Sequence, residues 1–140
     1  MNRLGPEDYQ SNRHIRKILQ LARASPKDIF YDLGCGKDQL CVVAVAEFGV
    51  KRAVGIEMHR GRAAKAAKRV HELGLANRIE IRNEDFMEFD LYDTTIVYSG
   101  LSETEGDIAY FEKKVRIGCR IVALFLLFVG VLPEAADYPS

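Results

Sequence analysis

The stretch IFYDLGCGKDQL, residues 29–40, sets an acidic residue between an apolar run and two closely spaced glycines. The segment DIFYDL, residues 28–33, predicts a buried strand, and QLCVVAVAEFG, residues 39–49, predicts a buried helix stopped by Gly49. In open α/β sheets ligands bind beyond the carboxyl ends of the strands, and Asp32 stands at such an end. Gly34 and Gly36 would let the backbone approach a ligand closely, and the helix that follows offers unpaired N–H groups. A dinucleotide fold needs G-x-G-x-x-G, but the third position here is Gln39; no GK[ST] occurs, which excludes a P-loop. The surviving D-x-G-x-G pattern would repel a pyrophosphate and attract a cationic group, as in an amino-acid nucleotide. A plain strand-to-helix turn with a capping Asp is the alternative.

Outward from this turn the chain alternates. Residues 11–24 place Ile15, Ile18, Leu19 and Ala22 at helical spacing, with Ser11 or Asn12 as the cap and Ser25-Pro26 as the stop. RAVGIE at 52–57, RIEIRN at 78–83 and TTIVYS at 94–99 predict strands. RGRAAKAAKRVHELG at 60–74 is an alanine-rich helix with a basic face, and SETEGDIAYFEKKVRIG carries another helix ending near Gly118. The apolar run IVALFLLFVGVL at 121–132 is too short for a membrane span of about 20 residues and predicts a fifth strand buried on both faces. Such alternation implies a mainly parallel sheet covered by helices on both sides.

A chain of 140 residues is expected to form one domain over 1–140, with 1–27 as an N-terminal helical cap. Formal net charge is zero, so no global field draws it to nucleic acid or anionic lipid. The three cysteines form no CxxC pair, which argues against a zinc site or a disulfide framework. Without an apolar leader at the N-terminus, a cytoplasmic protein is expected, with no metal and no membrane partner.

Two further acidic positions follow the glycine turn. Glu57 ends the second strand, twenty-one residues beyond Gly36, where a carboxylate can accept both ribose hydroxyls. In NEDF, residues 83–86, Asp85 could accept an adenine amino hydrogen while Phe86 supplies an apolar wall.

With YDLGCG, VGIE and NEDF in this order and spacing, the sequence resembles the class I S-adenosylmethionine-dependent methyltransferases from about residue 11 to 128. The likeness is greatest to small archaeal protein-lysine methyltransferases, which share VKRAVGIE-like residues before the second acidic position. The resemblance implies a doubly wound, Rossmann-like α/β fold with S-adenosyl-L-methionine as cofactor. Asp32, Gly34 and Gly36 would hold its methionine part, Glu57 its ribose, and Asp85 with Phe86 its adenine, with Leu33, Cys35 and Met58 also in the cofactor-binding site. Two departures stand out. Asp38 replaces a third glycine, with Lys37 beside it to compensate. The chain also ends eight residues after Leu132, where the family's sheet adds two more strands, one antiparallel, so the last strands are expected to be missing and an edge exposed.

The substrate-facing segment would be VYSGLSE, residues 97–103, with Tyr98 and Ser99 as the candidates to accept or orient an amine. The Asn/Asp-Pro-Pro-aromatic run of nucleic-acid amino-methyltransferases is absent. In the family the segment before the first helix closes over the cofactor, a role that would fall here to Tyr9, Gln10 and Ser11. Residues 84–112 hold nine acidic residues and no lysine or arginine, whereas residues 1–27 hold six basic and two acidic. An acidic rim suits a basic protein substrate and disfavours a phosphate backbone. The expected activity is methyl transfer to an amine such as a protein lysine. A non-catalytic or truncated cofactor-binding domain and an RNA or DNA methyltransferase are the alternatives.

Overall fold

The computed structural model describes residues 6–34, 39–85, 91–99, 113–115, 118–123 and 128–131, with backbone alone for 6–12, 123 and 128–131. Its elements run α1 (Pro6–Leu21), β1 (Ile29–Leu33), α2 (Gln39–Ala46), β2 (Arg52–Ile56), α3 (Arg60–Glu72), β3 (Ile79–Arg82), β4 (Ile96–Ser99), β5 (Arg120–Ala123) and β6 (Phe128–Val131). The strands form one sheet in the order β3-β2-β1-β4-β5-β6, parallel except for β6. The chain direction through the sheet reverses between β1 and β4, which opens a crevice at their carboxyl ends.

Strand alternation sorts the core into two layers. Phe30, Ala53, Ile79, Ile96 and Val122 face one side, where they pack with Leu40, Val43 and Ala44 of α2 and Ile18, Leu19 and Ala22 at the end of α1. Tyr31, Leu33, Val54, Ile56, Val97 and Ile121 face the other, with Leu91, Val115 and Cys119. The helix α2 is buried along most of its length because it lies between α1 and β1–β3, as its unbroken apolar sequence predicts. The helix α3 buries only Ala63, Ala66 and Val70 and turns Arg62, Lys65 and Lys68 to solvent. It closes at Gly74 (φ 74°), whose N–H bonds the carbonyl of His71 while Leu75 N–H reaches that of Val70.

Three sequence expectations change. The first helix begins at Pro6, so Ser11 and Asn12 are not its caps, and Tyr9, Gln10 and Ser11 lie within α1, not in a segment before it. The first two turns are polar and carry no apolar stripe, yet Pro6 needs no N–H there and Glu7 and Asp8 suit the positive helix end. The helix also stops at Leu21, before Ser25-Pro26, with Arg23 at φ 55°. The apolar run 121–132 is not one strand but parts of β5 and β6, paired antiparallel from Arg120↔Val131 to Ala123↔Phe128. Twelve extended residues would span about 40 Å, far beyond neighbours of four or five residues. Folding the run back pairs Arg120–Ala123 with Phe128–Val131 and supplies an antiparallel strand that the sequence reading left out. Of the helix expected before Gly118, Lys113 and Lys114 are helical, and residues 100–112 lie outside the described residues.

Candidate active site

The carboxyl ends of β3, β2, β1 and β4 bring Asp85, Glu57, Asp32 and Tyr98 to one edge of the sheet in that spatial order. Asp32 pairs in register with Gly55 on one side and Tyr98 on the other. Phe30 and Ala53 face the helix layer, so alternation places Asp32, Glu57 and Tyr98 on that same face. Glu57 lies two residues beyond Gly55, which puts its Cα about 8 Å from that of Asp32. Gly34 follows β1 with φ 76°, a conformation that favours glycine, and its N–H donates to the carbonyl of Ile56 at 2.7 Å. This bond ties the glycine turn to the end of β2.

Asp32 is 3% exposed, and among the described residues nothing donates a hydrogen bond to its carboxylate. Burial, and secondly the negative charge of Glu57, push its pKa up from 3.8 to about 8. A buried carboxyl beside another acid has its charge restored by a cation. Tyr98 is half-buried and packs on the helix-side core. Burial first, and then the charge of Asp32, push its phenol up to about 12, so it stays protonated near neutrality.

Glu57 is 6% exposed and its backbone N–H closes the ladder on Arg82 carbonyl at 2.9 Å. Its Oε2 accepts from the backbone N–H of His59 at 2.6 Å, and His59 in turn caps α3 by accepting the Arg62 N–H at Nδ1, 3.2 Å. Asn83 Nδ2 donates to the carbonyls of Glu57 (2.9 Å) and Met58 (3.0 Å). The sequence reading missed His59 and Asn83 as parts of this edge. Asn83 had a signal, an amide directly after a strand, whereas His59 is not a residue type that favours helix caps and gave none.

The other expected residues divide. Leu33 is buried in the opposite layer, Met58 is 63% exposed at the tip after β2, and Asp85 is half-buried after β3. Cys35, Gly36, Lys37, Asp38 and Phe86 lie outside the described residues. Ser99 pairs with Leu33 and therefore faces away from Tyr98; its Oγ is buried with no partner among the described residues. Those residues also hold no cluster of His, Cys, Asp and Glu suited to a metal ion, and no helix long and apolar enough to cross a membrane.

The donor set fits S-adenosylmethionine. A buried carboxyl with no hydrogen-bond donor among the described residues suits its ammonium, and a second carboxylate on the neighbouring strand suits vicinal ribose hydroxyls.

Known proteins agree with this arrangement. Residues 7–116 match the family model described as mycolic acid cyclopropane synthetase. A protein-lysine N-methyltransferase of Saccharolobus islandicus is 32% identical over 111 residues, covering 78% of this chain and 69% of that protein. An RNA methyltransferase of Salinibacter ruber, crystallised with S-adenosyl-L-homocysteine, superposes with a TM-score of 0.74 at 28% identity, over 79% of this chain and 73% of that one. The geranyl diphosphate C-methyltransferase of Streptomyces coelicolor shares the fold at 22% identity and a TM-score of 0.69; this chain covers 45% of its length. The chain belongs to the mycolic acid cyclopropane synthetase family and is a class I methyltransferase that depends on S-adenosylmethionine.

Proposed function

We propose that this methyltransferase acts on the side-chain amine of lysine in a basic protein. The observation that carries the reading is the 32% identity, over 78% of the chain, to a protein-lysine N-methyltransferase. The charge pattern of the sequence supports it: residues 84–112 hold nine acidic residues and no lysine or arginine, and such a concentration of carboxylates attracts cationic segments. In this reading Asp32, Gly34 and Gly36 hold the methionine part of the cofactor, Glu57 its ribose, and Asp85 and Phe86 its adenine. When bound, S-adenosylmethionine supplies an electrophilic methyl group.

The protein's part is then to present a neutral amine in line. Tyr98, a phenol at neutral pH, is suited to orient the amine by hydrogen bonding and not to remove its proton. Ser99, the other candidate from the sequence, faces the opposite layer with Leu33, which leaves Tyr98 as the better-placed contact. Only about one free lysine in a thousand is neutral at pH 7. Methyl transfer to basic proteins is therefore expected to rise between pH 7 and 9 and to fall with added salt. Radiolabelled methyl transfer to a basic protein and to RNA tests the reading; label confined to RNA overturns it.

That RNA outcome is the second reading. It is favoured by the Salinibacter ruber likeness and by Arg60, Arg62 and Lys65 of α3, which pair with no carboxylate among the described residues. Cofactor binding without label on any acceptor would point to a non-catalytic domain.

A further inference from the structure

We propose that Asn83 is a positioning residue for the ribose-binding carboxylate: its side-chain amide fixes the strand end from which Glu57 faces a bound nucleoside. The inference rests on the cofactor placement above and goes beyond it, because Asn83 itself contacts no ligand in this scheme.

Parallel pairing of β2 with β3 ends where the Glu57 N–H reaches the Arg82 carbonyl. Beyond that bond the chain must turn from Glu57 into α3 within three residues, Met58, His59 and Arg60. Met58 is 63% exposed, so apolar packing does little to hold the turn. Polar contacts do that instead. Asn83, the first residue after β3, reaches across 26 residues of sequence and spends both amide hydrogens on consecutive carbonyls, Glu57 at 2.9 Å and Met58 at 3.0 Å. With those two carbonyls fixed, the His59 N–H is aimed at Glu57 Oε2, 2.6 Å away, and the His59 ring is set to cap α3. The carboxylate is thus held through its own backbone on one side and through His59 on the other.

The chemistry of the site is selective. Two donors on one short side chain require a primary amide. Aspartate at 83 would turn an acceptor towards two carbonyls, alanine would leave both to water, and serine could satisfy one. Freeing about one residue of backbone costs roughly a decade of affinity. That loss would fall on the ribose contact alone, because Asp32 is anchored separately in β1.

Calorimetric titration of the full chain with S-adenosylhomocysteine and with its 2′-deoxyribose analogue tests this. Wild-type protein should bind the deoxy analogue more weakly, since Glu57 loses a hydroxyl partner. In Asn83→Ala, affinity for S-adenosylhomocysteine should fall about tenfold, and the deoxy penalty should shrink towards none. Asn83→Asp should be weaker still, and Asn83→Ser intermediate; the serine variant keeps the test open should the others fold poorly. A deoxy penalty of wild-type size in the Ala and Ser variants would overturn the proposal while leaving the cofactor site in place. Failure of the wild-type protein to bind S-adenosylhomocysteine would remove the site and the proposal together.

Discussion

Asp32 has two consequences that follow from a single cause. Its carboxyl holds a proton to about pH 8 in the folded chain, against 3.8 for the free group. A cationic ligand group needs the ionised form, so below pH 8 part of the binding energy is used to remove that proton. Affinity for S-adenosylhomocysteine should therefore rise from pH 6 to 8, by up to about tenfold per unit, and then level off. In Asp32→Asn it should be weak and flat, and a titration series across this range checks both. Stability of the ligand-free protein runs the opposite way. Because the folded state binds the proton more tightly than the unfolded one, this group's contribution is complete below about pH 4 and is lost as pH rises through 8. The melting temperature should fall between pH 5 and 8, and Asp32→Asn should flatten that fall.

The end of α1 shows an element closed by geometry its sequence does not favour. Arg23 N–H bonds the carbonyl of Gln20 and Ala24 N–H that of Leu19, both at 3.0 Å, a pattern that needs a left-handed residue between them. Arg23 fills it at φ 55°, where an L side chain crowds the following carbonyl. The Ala24 contact with the helix-side core holds the turn regardless. Arg23→Gly should relieve the strain and raise stability by about 1 kcal/mol, measured by urea denaturation. A loss of stability would mean that the Arg23 side chain contributes more than its backbone costs.

Opposite the site, a partly buried ion pair joins distant parts of the molecule. Arg120 of β5 pairs with Asp28, just before β1, and donates to the carbonyls of Ala22 (2.9 Å) and Arg23 (3.2 Å) at the end of α1. Thr95 and Ser25 complete the coordination of the Asp28 carboxylate, at 2.8 Å to each of its oxygens. Arg120→Ala would leave Asp28, 3% exposed, as a buried charge without its cation and should cost about 3–5 kcal/mol. Denaturant unfolding checks the loss. Cofactor affinity measured where the variant is still folded should stay unchanged, because the pair lies at the amino ends of the strands.

Local sequence determined the helices and strands whose burial shows as periodicity. Unbroken apolar residues made α2 a buried helix, alanines with an outer basic stripe made α3, short apolar runs made β1, β2 and β4, and apolar-charged alternation made β3. Spacing alone also set Asp32, Gly34, Glu57 and Asp85 at strand ends, since strand and helix lengths fix where each turn must fall. Tertiary structure decided the rest. Whether residues 121–132 run on or fold back depends on the length of the strands they pair with. That Tyr98 joins Asp32 while Ser99 turns away depends on register against β1. The Asn83 amide acquires its role only when β3 lies beside β2, because its two acceptors are remote in sequence and adjacent only across the sheet.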